Sequence, residues 1–337
     1  MRRGWVPELA FVHVGLGKCA STFLQNAWNQ DAGYVEANTA LHASTSRKYA
    51  AEGKALPRKI QGINFNDLSG GIVYSSSEAY TYGYDLDVTV ADQVMERIYG
   101  YSAHVISSIV EPKHILVIVR DPLRWIRSAY VQAIKQGGSE TFEEFLSDYR
   151  SWIEQSLNLG HLLVEFGKFF PSIVVLSADD LRDRPDFFWS QYEKKLDVRR
   201  PAEPEVDKLR ANESMNGPDL RRLAAANRFR RMMRDFLKSP GDYPSANPVT
   251  TAEFGTMTER LPEIDYYSTF LARRVFEFGS SEQVSDADIF LRDFDIESGE
   301  VDASLKDRLC HGFLLPVEAC DSISDEAKSQ YERSLGK

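Results

Sequence analysis

FVHVGLGKCASTFLQ, Phe11 to Gln25, passes from an apolar run through glycines into a helix-like segment, with one lysine, Lys18, at the turn. Residues 9–14 read as a buried strand, and Ser21 to about Asn29 as a helix capped by Ser21 or Thr22. A strand that turns tightly through small residues into a helix aims backbone N–H groups and the positive end of the helix dipole at one point. An ammonium beside that point suits an anion. The Walker A pattern G-x-x-x-x-G-K-[ST] fails here in two places. Cys19 follows Lys18, and Val12 stands where the first glycine is required, so no hydroxyl occupies the magnesium position next to the lysine.

Outward from this stretch, strands and helices alternate. Gly70 to Glu78 (GGIVYSSSE) reads as a second core strand, Val90 to Ser108 as a helix, and His114 to Val119 (HILVIV) as the clearest buried strand. Pro122 suits the first turn of a helix that runs to about Gln136 and stops at Gly137 and Gly138. Two further helices follow, in TFEEFLSDYR and SWIEQSLNLGHLLVEFGKFF, and then SIVVLSADDL supplies a strand leading into an acidic loop. Residues 38–68 read as irregular, with one helix near Ser44 to Glu52. Alternation of this kind implies parallel pairing and a doubly wound sheet. The expected architecture is therefore α/β, a three-layer P-loop-like fold with a central parallel sheet and a mostly helical C-terminal extension. Residues 1–200 would form the core and residues 201–337 a helical continuation of the same domain.

The chain has 337 residues, of which 43% are hydrophobic and 27% charged, values ordinary for a globular domain with a large core. No apolar run approaches the roughly 20 residues that span a bilayer, and the start MRRGWVPELAFVHVG lacks the apolar stretch of a secretory signal. Cys19, Cys310 and Cys320 have no metal-ligand spacing and suit a reducing compartment, so a cytoplasmic protein is expected. A net charge of −10 argues against broad binding to nucleic acid or anionic membrane. Any anionic ligand must be held by a local basic cluster.

Ligands of open parallel sheets bind at the carboxyl ends of the strands. Gly15 to Thr22, Glu78 and Arg120 all fall there, and Ser128 lies eight residues beyond Arg120 in VIVRDPLRWIRSAYVQ. At this point the residues match a known pattern. GLGKCASTFLQ resembles the 5′-phosphosulfate-binding loop of sulfotransferases that use 3′-phosphoadenosine 5′-phosphosulfate (PAPS), and VIVRDPLRWIRSAYVQ is similar to their 3′-phosphate-binding segment. Both occur in order, each at a strand-to-helix junction, and the resemblance covers roughly Ala10 to Leu196.

The resemblance implies a PAPS donor, the bisphosphate PAP as product, no required metal, and a small-molecule or glycan acceptor bearing a hydroxyl. Gly15, Gly17, Lys18, Cys19, Ala20, Ser21 and Thr22 would bind the 5′-phosphosulfate, with Lys18 also stabilising the leaving oxygen. Arg120 and Ser128 would bind the 3′-phosphate. The acceptor's proton calls for a base. Glu78 matches the region of the glutamate base of the carbohydrate branch, and His104 lies in the interval where the cytosolic phenol and steroid branch has its histidine. That branch's C-terminal G-x-x-G-x-x-K loop is absent, which favours the Golgi-like or bacterial carbohydrate branch and leaves Arg210, Asn212 and Ser214 to complete the donor contacts.

Two other functions fit the same residues. A P-loop phosphotransferase would use ILVIVRD, ending in Asp121, as a Walker B strand, and a non-catalytic nucleotide-binding protein would keep the loop without transfer chemistry. Bland structural roles are also open: Glu78 as a cap or ion-pair partner, His104 as a helix-surface residue, His13 as a satisfied core histidine, and Cys19 as a small buried side chain. The basic face from Arg230 to Lys238 is either solvated or a docking surface for an anionic partner. Tyr74, Tyr80, Tyr82 and Tyr84 either stack on sugar rings or pack. Neither the acceptor nor the oligomeric state is readable from these patterns.

Overall fold

In the computed structural model the described residues are 8–37, 71–76, 81, 88–202, 220, 223–224, 227 and 300–337. They carry the α/β architecture the sequence implies. Five parallel strands, β1 (Glu8–His13), β2 (Tyr34–Glu36), β3 (Ile72–Ser76), β4 (Glu111–Val119) and β5 (Ile173–Ser177), form one sheet in the order β2-β3-β1-β4-β5. The central pairings are in close register, with His13 beside Ser76 on β3 and beside Leu116 on β4. Ile115 to Val119 are fully buried, as a strand covered on both faces by helices requires.

The helices of this part are α1 (Ser21–Gln30), α2 (Val88–Ile109), α3 (Pro122–Lys135), α4 (Phe142–Asp148), α5 (Arg150–Ser156), α6 (Leu159–Gly167), α7 (Ala178–Asp183) and α8 (Pro185–Leu196). The C-terminal segment adds α9 (Ala303–Leu309), a π-helical turn (Cys310–Leu314), α10 (Leu315–Glu318) and α11 (Asp325–Leu335). Among the described residues no helix is long and apolar enough to cross a membrane.

Right-handed crossovers fix which face each helix covers. The connection from β1 runs toward one edge of the sheet and those from β3 and β4 toward the other, so α1 lies on one face and α2, α5 and α6 on the opposite one. Trp28 on α1 donates to Tyr192 on α8 at 3.0 Å, which places α8 with α1. Connections leaving adjacent strands β1 and β4 toward opposite faces open a crevice between their carboxyl ends, the place where open α/β sheets bind ligands.

The chain divides into two compact units, Met1–Ile126 with Tyr149–Asn212 and Val301–Lys337, and Arg127–Asp148 with Glu213–Glu300. In the first, the C-terminal helices return to the sheet: Tyr331 on α11 donates to Asp179 at 3.0 Å and pairs with the Ser177 hydroxyl at 2.6 Å. In the second, a reciprocal capping box starts α4, with Thr141 N–H donating to Glu144 and Glu144 N–H donating back to the Thr141 hydroxyl. Asn227 donates to the carbonyls of Ile134 and Gly138 and closes the turn after α3, where Gly137 adopts a φ of 100°.

Two local expectations change. The acidic stretch after β5 is helical, because Ser177 caps it through its hydroxyl, accepting from the amides of Asp179 and Asp180. The short strand β2 belongs to the sheet although three residues are too few to show a period. The helix expected near Ser44 to Glu52 lies outside the described residues.

Candidate anion-binding site at the loop after β1

The loop from Val14 to Ala20 joins the carboxyl end of β1 to α1. Its geometry departs from that of a glycine-driven turn: the left-handed residues are Lys18, with φ 68°, and Ala20, with φ 61°. Ala20 is the N-cap of α1 and gives no side-chain capping bond, and no acidic residue stands in the first turn. The positive end of the helix dipole therefore faces the loop without a protein carboxylate to neutralise it.

Three loop carbonyls are held by side chains from elsewhere. Thr81 Oγ1 donates to Gly15 O at 2.6 Å, Trp125 Nε1 to Gly17 O at 2.6 Å, and Arg120 Nη1 to Lys18 O at 3.3 Å. Trp125 is fully buried and lies 5.2 Å from the ring of Trp152. The start of α3 is thus pinned against the loop, and Arg120 is carried to Lys18 across a separation of 102 residues. The half-buried Arg120 guanidinium and the half-buried Lys18 share one end of the sheet.

Asp121 is engaged in holding this arrangement. Its carboxylate accepts from the amide of Arg124 at 2.8 Å, capping α3, while its own N–H donates to Asp179 Oδ2 at 2.7 Å. Arg124 in turn donates to Asp179 Oδ1 at 3.1 Å. Among the described residues no group of His, Cys, Asp and Glu stands where it could hold a metal ion.

Beneath the loop lie two buried polar atoms without a partner among the described residues, His13 Nε2 and Ser21 Oγ. Both point at Gly15. A Cβ added there would meet His13 Nε2 at 2.4 Å and Ser21 Oγ at 3.2 Å. The other ring nitrogen, His13 Nδ1, is bonded to Ser76 Oγ at 2.8 Å, and Ser76 Oγ accepts from Gln25 Nε2 at 3.0 Å. Burial lowers the His13 pKa to about 3, so the imidazole is neutral.

The sequence-derived residues separate clearly. Gly15, Gly17, Lys18, Cys19, Ala20, Ser21 and Arg120 are gathered at the loop, with Cys19 buried and Thr22 exposed on the first turn of α1. Ser128 is a half-buried residue of α3 in the second unit. His104 is not brought to the loop. It lies near the C-terminal end of α2, edge-on to Phe169 at 5.7 Å, and both residues just precede the amino ends of β4 and β5. A helix antiparallel to its strands carries its last turns to the opposite edge of the sheet. Glu78, Arg210, Asn212 and Ser214 lie outside the described residues, as do Tyr80, Tyr82, Tyr84 and the basic face from Arg230 to Lys238.

Sequence reasoning passed over Trp125, Thr81 and the pair Ser76 and Gln25. The signal for Trp125 was its place five residues after Arg120 on the apolar side of α3. For His13 the signal was a lone polar side chain two residues before the first glycine of the loop. Tyr74, one of the four tyrosines singled out, packs: it is fully buried against Phe11, Trp28 and Tyr34, with its hydroxyl donating to Asn29 at 2.6 Å.

No family model and no curated protein matches the chain. Among solved structures, the crystal structure of a sulfotransferase from Alicyclobacillus acidocaldarius is similar at 16% identity, covering 66% of this chain and 91% of that one, with a TM-score of 0.41.

Proposed function

We propose that the chain is a PAPS-dependent sulfotransferase that moves a sulfuryl group to a hydroxyl of a carbohydrate or other small-molecule acceptor. The observation that carries this reading is the contact of Arg120 Nη1 with the Lys18 carbonyl at 3.3 Å, which sets the two segments resembling the donor-binding motifs at one end of the sheet. The residues present also fit a phosphate: an uncapped helix N-terminus, orphaned buried donors at Ser21 and His13, and a notch at Gly15 that any side chain would fill.

In this reading the S–O bond to the bridging phosphate oxygen breaks while a new S–O bond forms to the acceptor oxygen. The electron pair stays on the phosphate oxygen, where the Lys18 ammonium offsets the growing charge. The acceptor's proton passes to Glu78, two residues past the end of β3; His104, at the other edge of the sheet, is not in reach of the same point. Ser21, Thr22 and the loop from Gly15 to Ala20 hold the 5′-phosphate. Arg120 and Ser128 hold the 3′-phosphate, and Arg210, Asn212 and Ser214 complete the donor contacts. The guanidinium fork suits a phosphate dianion. A cytoplasmic location, residues 1–200 as the donor-binding core and affinity with the bacterial or Golgi-like carbohydrate branch belong to the same proposal.

Binding of adenosine 3′,5′-bisphosphate in the presence of a chelator, compared with ADP, tests it. The expected result is metal-independent binding with a preference of about 10-fold or more for the bisphosphate, since one charge-assisted contact contributes about 1.5–3 kcal/mol. Equal affinity for ADP, or a requirement for magnesium, would favour a phosphotransferase. Tight bisphosphate binding without sulfate transfer to any of a broad panel of glycans would favour a non-catalytic binding protein.

A further inference from the structure

We propose that His13 is a neutral hydrogen-bond donor to the anion held by the loop after β1, its Nε2–H and the Ser21 hydroxyl sharing one oxyanion oxygen in the notch at Gly15. This rests on the reading of the loop as the donor's phosphate site and adds a residue to it from the strand below.

The proton's position follows from the hydrogen bonds. Gln25 Nε2 donates to Ser76 Oγ, so the hydroxyl proton of Ser76 is left for its other partner, His13 Nδ1. A ring nitrogen that accepts leaves the second nitrogen protonated. Register makes the arrangement local, since His13 and Ser76 are direct neighbours on β1 and β3. Nε2 then carries an N–H that is fully buried and finds no acceptor among the described residues. Leaving such a donor unmet is costly, and an oxyanion at the notch removes the cost.

The notch has the right dimensions. The point a Cβ would occupy at Gly15 is 2.4 Å from Nε2 and 3.2 Å from Ser21 Oγ, so an oxygen displaced about 0.5 Å from the ring stands at hydrogen-bond distance from both. Ser21 is 2% exposed and its hydroxyl is equally unmet. Two orphaned donors converging on one small gap beside an uncapped helix N-terminus describe a seat for a single acceptor atom. Burial keeps the imidazole uncharged, with a pKa of about 3, so it supplies direction without altering the charge of the site. Trp28 fixes the ring plane from the side, edge-on at 5.5 Å.

The test is a nitrogen-15 spectrum of the histidines in the intact protein, with and without adenosine 3′,5′-bisphosphate, alongside calorimetric titration of the same ligand. The expected result is an Nε2–H tautomer at His13 whose N–H proton shifts downfield when the bisphosphate binds. His13→Leu should weaken binding by roughly 10-fold or more, and His13→Gln, whose amide reaches the Nε2 position, should recover most of it. Gly15→Ala should abolish the shift. If the bisphosphate binds tightly while His13 is protonated on Nδ1, or its resonances do not move, this proposal falls and the function stands. If the bisphosphate does not bind at all, both fall. Should His13→Leu fail to fold, the spectrum of the parent protein alone decides.

Discussion

Replacing Trp125 with Phe removes the N–H that holds Gly17 O at 2.6 Å and part of a fully buried ring. Leaving a buried carbonyl without its donor costs about 1–3 kcal/mol. The smaller ring leaves a gap against Trp152, adding about 1 kcal/mol. The sum, about 2–4 kcal/mol, is a large part of the roughly 5–15 kcal/mol that holds a typical domain folded. Denaturant unfolding of the variant should show that loss in full. Binding of adenosine 3′,5′-bisphosphate should weaken as well, by roughly 5- to 10-fold, because the loop must then be ordered by the ligand. Tyr192→Phe serves as the control. It loses the hydroxyl that accepts from Trp28, away from the loop, and should cost about 1–2 kcal/mol with unchanged affinity. If Trp125→Phe loses less than about 0.5 kcal/mol, or binds the bisphosphate as tightly as the Tyr192 variant, the pinning of α3 to the loop does not organise the site.

Lys18→Ala should lower turnover far more than donor affinity, since its charge acts as the S–O bond breaks; single-turnover kinetics showing equal losses would contradict that role. Arg120→Ala should do the reverse, weakening bisphosphate binding by roughly 10- to 100-fold, as calorimetry would report. Arg199 hydrogen-bonds Asp31 at 2.6 Å and holds its carboxyl well below the usual carboxylate range, with the amides of Ala202 and Gly33 adding to the effect. A depressed folded-state pKa contributes stability that is present above the unfolded value of about 3.9 and is lost as pH falls below it. Asp31→Asn should therefore be less stable than the parent at pH 7, with the difference shrinking below about pH 4 in acid denaturation. Tyr331→Phe should cost about 1–2 kcal/mol by freeing α11 from Ser177 and Asp179, read by thermal unfolding.

The parallel core was legible because its strands are buried on both faces and read as unbroken apolar runs; His114 to Val119 is the plainest case. The loop after β1 was legible for a related reason, since small residues between a strand and a helix admit few conformations. What escaped notice depends on tertiary partners. Trp125 and Thr81 act on carbonyls far away in sequence, and no local period marks a donor of that kind. His104 attracted attention by its position between two motifs, yet sequence interval says nothing about which edge of a sheet a helix end reaches. The helix after β5 was hidden by its acidic residues. Asp179 and Asp180 look like loop formers until Ser177 is seen capping them.

Lys18 and Ala20 occupy left-handed backbone that a side chain makes costly by about 1–2 kcal/mol each. A lineage selected for heat tolerance alone would drift toward glycine at both places, because relaxing them costs nothing in packing. Retaining lysine at the first keeps an ammonium in the crevice at the expense of melting temperature. Thermal hardening of this protein by random mutagenesis and screening should therefore enrich changes at residue 20 and, where catalytic output is not also demanded, at residue 18.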